Sequence, residues 1–125
     1  VLFRLNNEMN GDWCWYSAFY TSKDAELYKA SWRYIHQIFN EHGVDNVIWV
    51  WNPHDLSRPE FKWNHFMAYY PGDEYVDVVG FDMYHRDPQA RDGFMDSLGR
   101  SLSVLQSFAR SHEKIMAGTE VGILA

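Results

Sequence analysis

Short apolar runs alternate with long stretches of helical period along this chain. Residues 1–4, VLFR, read as the end of a buried strand, and residues 6–20 as a polar and aromatic loop with a turn signal at Asn10-Gly11. Thr21 and Asp24 have capping-box spacing. From 24 to 42 the period is helical: Tyr28, Trp32, Ile35 and Phe39 form one stripe, with Leu27, Tyr34 and Ile38 beside it and Gly43 as the stop. Residues 46–51, NVIWVW, predict a strand buried on both faces, ended by Asn52-Pro53. A loop over 54–62, a short helix over 63–70 and a turn at Pro71-Gly72-Asp73 lead to a third strand, 75–84, in which Gly80 permits close backbone approach. After a loop over 85–91, Asp92 can cap a helix to Ser111 whose stripe is Phe94, Leu98, Leu102, Leu105 and Ala109. Residues 115–119 predict the last strand, which delivers Glu120.

The order β-α-β-(short α)-β-α-β implies a parallel sheet with helices outside it. Two architectures fit: four consecutive units of a (β/α)₈ barrel, or a complete small doubly wound domain. No Gly-rich phosphate loop follows any strand, against the second. Polar and aromatic residues follow every strand (Asn7 and Glu8, Asn52 and His54, Asp82 and Tyr84, Glu120), and ligand-facing chemistry at each C-terminal strand end is the habit of the barrel. The fold expected is therefore α/β, a partial (β/α)₈ barrel. A full barrel takes roughly 250 residues, so the 125 residues make about half of one. Val1 begins mid-strand without a Met, and residues 122–125 end on an apolar run, so residues 1–125 are expected to be an internal piece of one catalytic domain. By itself such a piece would expose sheet edges, so it is expected to be inactive and prone to aggregate.

Composition changes this picture in few ways. A net charge of −6 argues against a nucleic-acid partner and suits a neutral ligand. No apolar run is long enough to suggest a membrane partner. One cysteine, Cys14, excludes an internal disulfide and reads as a small buried residue. Six Trp, eight Tyr and eight Phe supply both a large aromatic core and flat faces on which sugar rings stack.

Two carboxylates at strand ends, Glu8 and Glu120, can do the work of glycoside hydrolysis, one protonated at rest and the other ionised. The plainer reading is an ion pair with Arg4 or Lys114; equivalent positions on successive units favour function. Asn7 can donate to a substrate hydroxyl or close an Asx turn. Tyr84 can hold an ionised Glu120. Asp77 and Asp82 interrupt an apolar strand and need partners there; Asp82 is nearer the active end. Trp13, Trp15, Trp49, Trp51 and Trp63 are candidate platforms. Trp49 and Trp51 share a strand face, and Trp51, last in its strand, is the stronger. Trp32 reads as core, and His36 and His42 as solvated helix residues. The six His show no metal-ligand spacing, Ser17, Ser22 and Ser57 lack a nucleophile-elbow context, and no cofactor is called for.

The motifs R-x-x-x-E-M-N-G-x-W (Arg4 to Trp13), V-I-W-V-W-N-P (Val47 to Pro53), Y-P-G-D-E-Y-V-D-V-V-G-F-D-x-Y (Tyr70 to Tyr84) and T-E-x-G (Thr119 to Gly122) resemble glycoside hydrolase family 26, the endo-β-1,4-mannanase family of a retaining (β/α)₈ clan. The resemblance implies strands four to seven of the barrel, Glu8 as acid/base and Glu120 as nucleophile. It places Trp13, Asp77 and Tyr84 along the cleft, with Tyr84 on the nucleophile, and makes a β-mannan polysaccharide the partner. A secreted location goes with that substrate. The family usually carries His immediately before the acid/base; here Asn7 stands there, the pair found elsewhere in the clan. Relatives acting on mixed-linkage β-glucan or β-1,3-xylan, and a glycan binder without turnover, are the alternatives.

Overall fold

The computed structural model describes residues 1–85 and 91–123. Four strands, β1 (Leu2–Phe3), β2 (Ile48–Trp51), β3 (Val78–His85) and β4 (Ile115–Ile123), pair in parallel in chain order. Helices α1 (Glu26–Glu41) and α2 (Arg91–Ser111) provide two of the crossovers. This is the curved half of a parallel barrel, with the helices on its outer surface. The loop expected over 85–91 falls largely outside the described residues.

The outer face of the sheet and the inner faces of the helices make one core. Trp49 and Trp51 do share a strand face, and it is the helix face. Trp49 packs on Phe3, Trp32, His36 and Phe39 at centroid separations of 4.8–5.9 Å. Trp51 packs on Phe66, Tyr70 and Phe108. Val79 and Phe81 continue this face on β3, both buried. From α1, Tyr28 and Trp32 are buried, while Leu27 and Tyr34 point to solvent. His36 is not solvated as expected: its ring lies 4.8 Å from Trp49 and 5.3 Å from Tyr75. From α2, Leu105 and Ala109 are buried as the stripe predicts, and Phe108 joins them from beside it.

Local chemistry accounts for shifted boundaries. The capping box at Thr21 does not form: α1 starts two residues later than expected, with Ala25 at the N-cap and the Asp24 carboxylate accepting from the amide of Glu26 at 2.9 Å. At the other end the amides of His42 and Val44 return to the carbonyls of Ile38 and Phe39, and Gly43 (φ 67°) closes the helix as expected. The helix expected over 63–70 is two 3₁₀ turns, Lys62–Asn64 and Phe66–Tyr69. His65 between them is extended, and the buried Asn64 side chain bonds Asn10, Pro59 and Tyr69. β3 starts three residues later than expected because Asp73–Tyr75 forms a further 3₁₀ turn. β4 continues past the expected strand end at Thr119, so Glu120 lies within the strand.

One irregularity positions the site. Pairing of β3 with β4 runs Gly80↔Ala117 and Phe81↔Gly118, then jumps to Asp82↔Glu120. Side chains alternate faces along a strand, so an unbroken register would set Thr119 beside Asp82 and turn Glu120 toward the helices. The extra residue of the bulge turns Glu120 onto the inner face with Asp82. Thr119 lies over Gly80, where a Cβ would stand 2.6 Å from its Cγ2. Among the described residues, no helix is long and apolar enough to cross a membrane.

Candidate active site

Arg4 is the hub at the C-terminal ends of the strands. A cation just beyond β1 needs anions, and two strands supply them. Its Nη1 donates to Asn52 Oδ1 at 2.9 Å and to Asp82 Oδ1 at 3.3 Å, and its Nη2 donates to Glu120 Oε1. Asp82 is fully buried and also accepts from Asn7 Nδ2 at 3.3 Å. Its charge is thus paired, as burial requires. Burial opposes the guanidinium charge, but the bond to Glu120 and the fields of Asp82, Glu120 and Glu8 outweigh it and raise the Arg4 pKa.

Glu120 is held at both oxygens. Oε1 takes Arg4, and Oε2 accepts the Tyr84 hydroxyl at 2.8 Å. The Tyr84 bond and then that of Arg4 hold the Glu120 carboxyl below its ordinary range against the opposing effect of burial, with the charge of Arg4 adding to them. The same bond raises the Tyr84 phenol, so the proton stays on the tyrosine. Glu120 is therefore an ionised carboxylate of fixed orientation.

Glu8 reaches the rim through an unusual backbone. Asn6 and Glu8 both have positive φ, 46° and 55°, a region non-glycine residues seldom enter. The amide of Glu8 donates to Asn52 O at 2.8 Å, which fixes it to the end of β2, and its carbonyl accepts from Gly11 in the Asn10-Gly11 turn. That turn brings back Trp13, whose Nε1 donates to Glu8 Oε2 at 2.7 Å. The turn needs glycine, because a Cβ on Gly11 would stand 2.4 Å from the Trp13 indole. Buried Asn10 holds the next loop, accepting from His54 N at 2.9 Å and donating to His54 O at 2.8 Å.

Six of the eight residues predicted from the sequence converge here: Glu8, Glu120, Asn7, Trp13, Asp82 and Tyr84. Asn7 spends its side chain on Asp82 rather than on an Asx turn. Trp13 stays 42% exposed, as a face for a ligand must. Two residues do not belong. Trp51 is fully buried in the helix-facing core and offers no surface to a ligand. Asp77 is exposed just before β3, at the opposite end of the strands, where its Oδ2 accepts from Trp49 N at 2.8 Å. It closes the start of a strand and lines no cleft.

Arg4 and His54 were missed as site residues. A lone cation beside an apolar run was the readable signal for Arg4, and its place at a strand end the signal for His54. Of the remaining platforms, Trp15 is 78% exposed and Trp63 stacks on Phe61 at 6.0 Å.

Comparison with known proteins agrees with this geometry. The family model for glycosyl hydrolase family 26 matches residues 1–115. A mannan endo-1,4-beta-mannosidase A and B of Caldalkalibacillus mannanilyticus is 40% identical over 114 residues, covering 87% of this chain and 20% of its own length. A mannan endo-1,4-beta-mannosidase of Bacillus subtilis is 42% identical over 103 residues, 78% of this chain and 27% of that protein. Among solved structures, a GH26 beta-mannanase from Bacteroides ovatus superposes with a TM-score of 0.82 at 30% identity, over 98% of this chain and 33% of its own. The chain thus spans about a fifth to a third of these relatives.

Proposed function

The chain belongs to glycosyl hydrolase family 26, and on that premise we propose that it carries both reacting carboxylates of a retaining endo-β-1,4-mannanase, as part of a single catalytic domain. The observation that carries this reading is the pairing of an ionised, doubly held Glu120 with a Trp13-held Glu8, both linked to the ends of neighbouring strands through Arg4 and Asn52. The relatives named mannosidases supply the substrate class.

In the proposed reaction Glu8 gives its proton to the glycosidic oxygen as the bond to the anomeric carbon breaks. A Glu120 oxygen forms the new bond to that carbon. Arg4 and Tyr84 keep Glu120 charged and aimed before attack. Glu8, now ionised, takes a proton from water, whose oxygen displaces Glu120 and returns the original anomeric configuration. Trp13 offers its indole face to a sugar ring and its N–H to Glu8. A polymer of this kind is met outside the cell, which makes the protein a secreted one.

The test is reducing-sugar release by the complete protein on galactomannan, lichenan and β-1,3-xylan, beside Glu8→Ala and Glu120→Ala. Turnover of galactomannan lost in both variants supports the proposal. Turnover of only another polymer keeps the carboxylate roles and moves the substrate, directing attention to Asn7. Glycan binding without turnover in the wild type overturns the enzymatic reading.

A further inference from the structure

Behind Trp13 lies a pair of buried groups that the proposed reaction does not use. His54 and Asp55 are each 7% exposed at the side chain. The His54 ring stands edge-on to the Trp13 indole, 5.3 Å between centroids and 77° between planes. Its Nδ1 lies 3.1 Å from Asp55 Oδ1, 3.1 Å from Leu56 O and 3.1 Å from Leu56 N. Asp55 Oδ2 accepts from Ser101 of α2 at 2.6 Å. Asp55 Oδ1 is sealed from solvent and, among the described residues, has no hydrogen-bond donor.

Nδ1 spends its hydrogen bonding on the Leu56 backbone, and the Asp55 carboxylate stands beside the ring without accepting from it. The imidazole is therefore held by its own loop, and its edge is what the Trp13 indole meets.

We propose that His54, held by the backbone of Leu56 with Asp55 beside it, is a positioning residue for the acid/base arm, fixing the plane of Trp13 and through the indole N–H the carboxyl of Glu8. The chain of contact runs Ser101–Asp55–His54–Trp13–Glu8, from an outer helix to the reacting group. It rests on Glu8 being the acid/base. Around the imidazole stand Asp55 of its own loop, Arg58 and Tyr84, which line the same small cavity. The backbone of His54 is clamped independently by Asn10 and bridged to Asp82, so the ring can be changed while the loop stays in place.

The experiment uses the complete protein and its His54→Gln, Asp55→Asn and Ser101→Ala variants. Two substrates are compared in each preparation: mannan, whose leaving group needs a proton from Glu8, and 2,4-dinitrophenyl β-mannobioside, whose leaving group does not. The ratio of the two kcat/KM values cancels any difference in folded fraction. His54→Gln should lower the mannan value by about 10–100-fold and leave the aryl value within about twofold; Asp55→Asn should follow it more weakly and Ser101→Ala least. An unchanged ratio overturns the positioning role. Wild-type turnover of both substrates with an unchanged ratio sinks this inference and spares the proposed function; no wild-type turnover on either sinks both.

Discussion

The Thr119 methyl group occupies the space above Gly80: a Cβ on Gly80 would stand 2.6 Å from Thr119 Cγ2, 3.0 Å from its Oγ1 and 3.3 Å from Ala117 O. This contact sits at the bulge that turns Glu120 onto the inner face. Gly80→Ala must therefore displace Thr119, and Glu120 is next in the chain. We expect it to cost about 1–3 kcal/mol of stability, the range for overpacking, and to lower kcat at least tenfold. Thr119→Ala alone should be nearly silent, because Thr119 Oγ1 is buried without a partner among the described residues. Combined with Gly80→Ala it should restore much of the loss. A double-mutant cycle on melting temperature and kcat measures the coupling; simple additivity would refute the contact as the cause.

The Tyr84 hydroxyl is the leading cause of the depressed Glu120 pKa. The proposed reaction needs Glu120 ionised, so activity is expected above the folded-state pKa and should be lost as pH falls through it. Tyr84→Phe removes the donor, raises that pKa and moves the acid limb of kcat/KM to higher pH. Loss of the bond also frees Glu120 Oε2 to turn, so kcat/KM should fall at neutral pH as well. An acid limb that stays in place would mean Arg4 alone keeps Glu120 charged.

Arg4 can be tested through its second carboxylate. Asp82 is fully buried while a third of the Arg4 side chain is exposed, so the pair is screened on one side only. Arg4→Met leaves the Asp82 carboxylate with Asn7 as its one side-chain donor among the described residues, and should cost about 2–4 kcal/mol, somewhat below a fully buried pair. Asp82→Asn in that background should recover part of it. Chemical denaturation of the four proteins reads both numbers.

The alternation of strands and helices, the stop at Gly43 and the two rim carboxylates were all legible in the sequence, because each depends on local spacing. Asp77 and Trp51 were not. The sequence places both on strands, but function depends on which end and which face of the strand a residue occupies. Asp77 precedes β3, whose start shifted three residues because Asp73–Tyr75 coils into a 3₁₀ turn. The bulge at Thr119 was equally hidden, since one extra residue in a register leaves no compositional trace.

At the far end of the strands, Asp73 joins the connection before β3 to the chain entering β4. Its Oδ1 accepts from Tyr70 OH at 2.9 Å and lies 2.8 Å from His112 Nδ1, and Lys114 Nζ donates to its carbonyl at 2.6 Å. The Tyr70 bond and then His112, with Lys114 adding its charge, lower its pKa from 3.8. A carboxyl depressed on folding contributes stability that is full above its unfolded pKa and lost as pH falls through the folded one. Asp73→Asn should therefore flatten the fall in melting temperature between about pH 5 and 3 and leave neutral-pH activity unchanged. A parallel offset at every pH would show that packing, and not charge, accounts for this contact.

Trp13 and Trp51 make the sharpest contrast between two tryptophans that the sequence could not separate. Trp51 is fully buried, and its Nε1 has no partner among the described residues. Trp51→Phe removes an unsatisfied buried donor, a gain of about 1–3 kcal/mol, and leaves a partial cavity that costs a similar amount. The net change should be small, with KM for mannan unmoved, whereas Trp51→Ala should cost about 3–5 kcal/mol. Trp13→Phe keeps a ring at the rim but loses the N–H on Glu8. It should leave the melting temperature within a few degrees and lower kcat on mannan more than it raises KM. If instead Trp51→Phe raised KM and Trp13→Phe did not touch kcat, the assignment of one indole to the core and the other to the proposed acid/base would be reversed.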